Sequence, residues 1–340
     1  MNKVIANYLE RKGKQIRPIM VLLSARLLGE VNDKVIKGAV AVELLHNAAL
    51  THDDGVDDPR VRRDAATING IWDNHLAVLI GDFFLSNSLR LAAETSDLRI
   101  VGSIASLGRL LSIGELDEIY TARFNNFDEK AYFEIIYRKT ASLFVSCAEV
   151  GAYAAGAEDA AKIDALREFA RLLGLCFQIR DDIFDYYDNA DIGKPTGNDL
   201  REGKIPLPLL HALLTGEGTL HSEMVELAHR EQLTPDEITQ LIDYAHCCGG
   251  IDYAHATMQR LRDQACDILC ANFPDTPART SFIALLDFII ARTRGFAHLC
   301  SPRKSHVLNH PLFVSPASPN RGKLKTWSKY VQWLFSPIIV

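Results

Sequence analysis

The chain has 340 residues, 48% of them apolar and 24% charged, with a formal net charge of −6. That length can bury a large core, the acidic balance argues against a general nucleic-acid binder, and no run of about 18 uncharged apolar residues offers a membrane span. Residues 1–12 lack the apolar stretch of a signal peptide and the seven cysteines show no framework spacing, which suits reduced thiols, so a cytoplasmic protein is expected.

Helical periodicity then runs through most of the chain. It predicts helices over about 17–29, 34–54, 68–94, 98–122, 128–156, 159–188, 205–214, 219–230, 235–248, 250–273 and 277–294. Gly29, Gly156 and Gly216 follow apolar runs as stops, and Thr234-Pro235-Asp236-Glu237 reads as a cap with proline in the first turn. Almost nothing alternates with period two. The expected fold is all-α, one large bundle of roughly ten helices with short connections, spanning residues 1–295. Cys247, Cys248, Cys266 and Cys270 fit no paired zinc-ligand spacing. Residues 296–340 turn to Ser, Pro, Asn and basic side chains and read as a disordered tail. Within it, residues 323–335 mix cations with aromatics and could lie in a membrane interface.

Two of these helices end in an acidic motif. Asp53-Asp54-Gly55-Val56-Asp57 precedes Asp181-Asp182-Ile183-Phe184-Asp185 by about 130 residues. The spacing puts the first and last acid of each motif one turn apart on one helix face. Unpaired acids beside an apolar wall are costly to bury. A hard divalent cation relieves that cost, and Mg²⁺ takes one or two carboxylates together with phosphate oxygens. One such motif is most simply a solvated acidic helix end. Two copies, each on a stripe of small or polar residues, point instead to a metal-bridged phosphate or diphosphate held between two helices. The first stripe is His46, Ala49, Asp53 and Asp57, with Ala48 beside it; the second is Gly174, Gln178, Asp181 and Asp185.

Basic groups lie around the motifs: Lys14 and Arg17, Arg62 and Arg63, Lys139 beside Thr140, and Lys194 and Lys204 in a Gly-rich segment. Arginine offers phosphate a planar fork, and lysine a point charge. Each group alone would be an ordinary surface charge; their order around the acids gives them weight.

Taken together, the residues resemble the trans-isoprenyl diphosphate synthases, or polyprenyl synthetases. The matching segments are Gly13-Lys14-x-x-Arg17-Pro18, Glu43-Leu44-Leu45-His46 running into His52-Asp53-Asp54-x-x-Asp57, Arg62-Arg63, Gly81-Asp82, Gly114-Glu115-Leu116, Lys139-Thr140-Ala141, Phe177-Gln178-x-x-Asp181-Asp182-x-x-Asp185, and Gly193-Lys194-Pro195 through Gly203-Lys204. The resemblance implies helices around a central cavity and a homodimer. It also implies Mg²⁺-dependent condensation of isopentenyl diphosphate with an allylic diphosphate. Asp53, Asp54, Asp57, Asp181 and Asp185 would face two or three Mg²⁺ ions, with Asp182 in support. Arg62, Lys139, Gln178, Lys194 and Lys204 would contact the allylic diphosphate, with Thr140 polarised by the reaction. Lys14, Arg17, His46 and Arg63 would form the isopentenyl diphosphate pocket.

In this family, bulky side chains four or five residues before the first motif form a floor that stops short products. Here those positions are Ala49 and Ala48, so a long product is expected, with a deeper floor sought near Phe83 and Phe84. A long product could bring peripheral membrane contact. Two departures stand out: Asp64-Ala65-Ala66 replaces the usual Gly-x-Pro after the paired arginines, and the segment before Lys14 is shorter than the family's N-terminal helix. Two rival readings compete with this one. Helical metal-dependent phosphohydrolases share the His46, His52-Asp53 pattern but leave the second motif unexplained. A silent partner subunit tends to lose motif acids, and this chain keeps all six.

Overall fold

A computed structural model describes residues 15–57, 61–62, 65–66, 70, 73–124, 127–187, 196–230 and 232–291. The helices are α1 (Ile16–Leu28), α2 (Asp33–Asp57), α3 (Asn74–Glu94), α4 (Leu98–Phe124), α5 (Glu129–Ile136), α6 (Ser142–Ala154), α7 (Ala160–Phe184), α8 (Asn198–Arg201), α9 (Leu207–Thr215), α10 (Thr219–Ala228), α11 (Pro235–Cys247), α12 (Gly250–Asn272) and α13 (Pro277–Ala291). A π-helical turn, Tyr137–Ala141, joins α5 to α6. A two-residue hairpin, β1 (Val61–Arg62) against β2 (Ala65–Ala66), follows α2. The all-helical expectation holds, with this hairpin as a small exception.

Local chemistry starts and stops the helices. The Asp73 carboxylate accepts from the Leu76 amide at 2.7 Å and opens α3; Asp128 and Asp159 do the same for α5 and α7. Thr234 and Glu237 close a reciprocal capping box at α11, and each such cap is worth about 1 kcal/mol. Gly29 and Gly216 end α1 and α9 as the sequence predicts.

One large core runs through nearly all the helices, with Phe84, Phe144, Phe169 and Phe282 among its fully buried side chains. The Phe169 and Phe282 rings meet edge to face at 5.1 Å between centroids and join α7 to α13. A smaller core gathers Leu209, Leu213, Leu227 and Leu241 from α9, α10 and α11. Glycines let the helices crowd together. A Cβ on Gly151 would strike the Val21 carbonyl where α6 crosses α1, and one on Gly81 would strike the His52 ring where α3 crosses α2.

Three expected boundaries move. The helix predicted over 128–156 is two helices with the π turn between them, because the turn's extra residue is set by neighbours rather than by periodicity. The helix predicted over 159–188 stops at Phe184, where Asp185 turns to cap α8, a short helix not anticipated. The helix predicted over 68–94 is interrupted at Asp73, whose extended backbone and side chain cap α3 at Asn74. Among the described residues, α3 is long and apolar enough to cross a membrane by length and composition; it packs along α2 and carries Asp82 and Arg90. The predicted tail, residues 296–340, lies outside the described residues.

Candidate active site

The last turn of α2 carries the first motif. Asp53 is half-buried and lines a cavity, while Asp54 is buried at 6% exposure. Asp57 is the final residue of α2. Below them on the same helix lie half-buried Ala49 and His46, with Ala48 packed into the main core. Arg17 is half-buried in the first turn of α1, and Arg62 lies in β1. Lys14, Arg63 and Lys194 lie outside the described residues.

The second motif ends α7. Asp181 is half-buried and Asp182 is buried at 4% exposure. A chain of hydrogen bonds holds Asp182: Thr140 Oγ1 donates to Gln178 Oε1 at 2.7 Å, Gln178 Nε2 donates to Asp182 Oδ1 at 2.9 Å, and the Tyr132 hydroxyl donates to Asp182 Oδ2 at 2.5 Å. Both oxygens of Asp182 are thereby engaged by protein, in keeping with a supporting place. Burial pushes its carboxyl up to about 6 against these two hydrogen bonds, and the Asp181 charge adds to the rise. Asp185 accepts from the Asn198 and Asp199 amides at 3.1 and 3.0 Å. Asp199 is pushed well up by burial and then by the charges of Asp182 and Asp185.

The π turn presents Lys139 and Thr140. It can lie this close to α4 and α7 only because both neighbours are glycine there. A Cβ on Gly114 would come within 2.8 Å of the Lys139 side chain, and one on Gly174 within 2.5 Å of Ala141 Cα. Lys139 Nζ sits 2.7 Å from Glu115 and 2.5 Å from Glu118, and Lys204 Nζ 3.2 Å from Glu118 and 2.7 Å from Glu202.

These parts meet at one cavity of about 290 Å³. Its polar wall includes Asp53 from the first motif, Asp182 from the second, and Lys139, Thr140, Gln178 and Lys204 between them. Ile135, Ile136 and Leu210 form an apolar side. The structure therefore brings together Asp53 of α2, Lys139 and Thr140 of the π turn, Gln178 and Asp182 of α7, and Lys204. Among the described residues, Asp54, Asp181, Asp185, His46, Arg17 and the two alanines are not part of that wall. Glu115, Glu118, Tyr132 and Asp199 join the site without having been singled out. Glu115 and Asp199 stood inside matching segments, whereas nothing in the sequence marked Tyr132.

The donor set fits Mg²⁺. Half-buried Asp53 presents hard carboxylate oxygens at the polar cavity, opposite buried Asp182, whose oxygens the protein already holds. Among the described residues no three His, Cys, Asp or Glu side chains converge as a ready cage. Mg²⁺ itself binds through one or two carboxylates and completes its shell with phosphate and water. Cys147 and Cys176 are buried thiols pushed up by burial, Cys176 to about 12, and so are inert.

Residues 1–245 match the polyprenyl synthetase family. The octaprenyl diphosphate synthase of Escherichia coli (strain K12) is 31% identical over 285 residues, covering 83% of this chain and 87% of that protein. The crystal structure of a decaprenyl diphosphate synthase from Rhodobacter capsulatus aligns with a TM-score of 0.79 at 31% identity, over 86% of this chain and 90% of that one. That of a geranylgeranyl pyrophosphate synthase from Bacteroides thetaiotaomicron aligns at 0.75 with 37% identity, over 85% and 91%.

Proposed function

The chain belongs to the polyprenyl synthetase family, and from that membership we propose a Mg²⁺-dependent prenyltransferase that condenses isopentenyl diphosphate with an allylic diphosphate into a long-chain all-trans polyprenyl diphosphate. The observation that carries this reading is the single cavity lined at once by Asp53, Asp182, Lys139, Thr140, Gln178 and Lys204. Two acidic helix ends and two lysines around one space suit a diphosphate leaving group; a silent partner subunit would have no use for them.

The reaction needs no protein nucleophile. The allylic C–O bond breaks with its electron pair on pyrophosphate, the double bond of isopentenyl diphosphate attacks the allylic cation, and loss of a proton restores a double bond. Mg²⁺, held by Asp53, Asp54, Asp57, Asp181 and Asp185, would supply positive charge to the leaving oxygens. Lys139 and Lys204 would balance the charge that develops on pyrophosphate. The Thr140, Gln178 and Asp182 chain fixes the polar wall, and the isoleucine and leucine side keeps water from the cation. Purified protein incubated with farnesyl diphosphate, isopentenyl diphosphate and Mg²⁺ is expected to release pyrophosphate and form products beyond about six isoprene units, as seen by chromatography. Simple phosphate release would reject prenyl transfer.

Product length rests on this chain's own residues, because the relatives include both long-chain and geranylgeranyl synthases. Ala49 stands one turn below Asp53 and is half-buried, whereas Ala48 is already enclosed by core. Of the two, Ala49 is the position where a larger side chain would enter the tail's path. Ala49→Phe is expected to shorten the main product by at least two isoprene units; an unchanged product would reject the open floor.

A homodimer is the proposed assembly. The outer faces of α3 and α4 expose Leu79 at 64%, Leu116 at 66% and Tyr120 at 62%, with Val78 and Ile119 beside them. These are the side chains whose apolar area a second copy would remove from water. Leu79→Arg combined with Leu116→Arg is expected to convert the dimer to monomer in sedimentation, and a wild-type protein that sediments as a monomer would reject the assembly.

A further inference from the structure

Two ammonium groups and three carboxylates meet on one side of the cavity. Lys139 touches Glu115 and Glu118, and Lys204 touches Glu118 and Glu202. Among the described residues, Glu118 is the carboxylate that reaches both lysines. Formally the three acids outnumber the two cations, so an arriving diphosphate gains little from lysines still held this way. Glu118 cannot simply swing into solvent, because its side chain is only 20% exposed and both lysines hold it. Nor does it lose its charge. Burial alone would push its carboxyl up, but Lys204 and then Lys139 outweigh burial and hold it below the ordinary glutamate range.

We propose that Glu118 is a positioning residue that acts through Lys139 and Lys204 as a counter-charge clamp: it holds both ammonium groups over the cavity before diphosphate arrives and takes them back to expel pyrophosphate. This inference rests on the diphosphate reading of the cavity. The clamp forms and breaks only ion pairs. As the allylic C–O bond breaks, the added negative charge on pyrophosphate draws the lysines away from Glu118. Once the prenyl group has moved on, the carboxylate competes for the same cations and lowers the affinity for the leaving product. A plain structural brace would do the opposite, since losing it would let the lysines wander and weaken anion binding.

Calorimetry with inorganic pyrophosphate and Mg²⁺ separates the two. Glu118→Gln keeps the shape and removes the charge, and is expected to bind pyrophosphate about ten-fold tighter, or about 1.4 kcal/mol. Its steady-state turnover is expected to fall more than its single-turnover rate with farnesyl diphosphate, because release has become slow. Glu118→Asp keeps the charge and is expected to return affinity toward wild type; a brace would suffer more from the shortened aspartate than from the isosteric glutamine. Glu115→Gln, which frees Lys139 from one of its two partners, provides an independent reading with an expected tightening of about two- to three-fold. Unchanged or weaker pyrophosphate binding in both glutamine variants overturns the clamp alone. A wild-type protein that binds no pyrophosphate with Mg²⁺ overturns the diphosphate reading and the clamp with it.

Discussion

Asp53→Asn is expected to lower the elongation rate about 10³-fold with little change in the melting temperature. The substitution keeps size and most hydrogen-bonding capacity but removes one negative charge from the cavity wall. If Asp53 holds Mg²⁺ against a departing diphosphate, that charge is needed most as the C–O bond breaks, so the loss falls on the chemical step. It does not fall on the fold, because Asp53 is half-buried at a helix end rather than part of the packed core. Removing one of several nearby acids even relieves repulsion in the metal-free protein. The measurement is isopentenyl diphosphate incorporation at saturating Mg²⁺, alongside thermal unfolding. A loss below ten-fold would remove Asp53 from the proposed metal site.

Gly174→Val is expected to cost about 3 kcal/mol of stability and at least ten-fold in activity. Gly174 faces the π turn, and any Cβ there would lie 2.5 Å from Ala141 Cα, 2.7 Å from its Cβ and 3.1 Å from the Phe144 ring. Two of those atoms belong to Ala141, which cannot rotate away, so the turn or α7 must shift as a body. Lys139 and Thr140 ride on that turn, and Gln178 sits one turn along α7. A shift of either element stretches the 2.7 Å bond from Thr140 to Gln178, and with it the support of Asp182. Urea unfolding and the incorporation assay read the two effects separately. A valine variant with wild-type unfolding and rate would show that the close approach is dispensable.

The two substitutions probe different levels of organisation. Asp53 was legible from spacing alone, because carboxylates one helical turn apart at the end of an apolar run have few bland explanations when the pattern occurs twice. Gly174 was legible only as a small residue on the acidic stripe. Its reason, a neighbouring helical turn packed almost onto its backbone, belongs to the crossing of two elements far apart in sequence.

The same division holds across the protein. The sequence by itself determined the helical class, most helix ends and the two acidic faces, because periodicity, capping residues and glycine stops act within a few residues of themselves. Only tertiary structure decided that 128–156 breaks at a π turn, that Asp185 caps α8, that Tyr132 supports Asp182, and that Glu118 binds two lysines at once. Each of these depends on partners brought together from separate helices and loops. Hydrogen bonds and ion pairs act over about 3 Å in space, and distance along the chain carries no record of which groups will come that close.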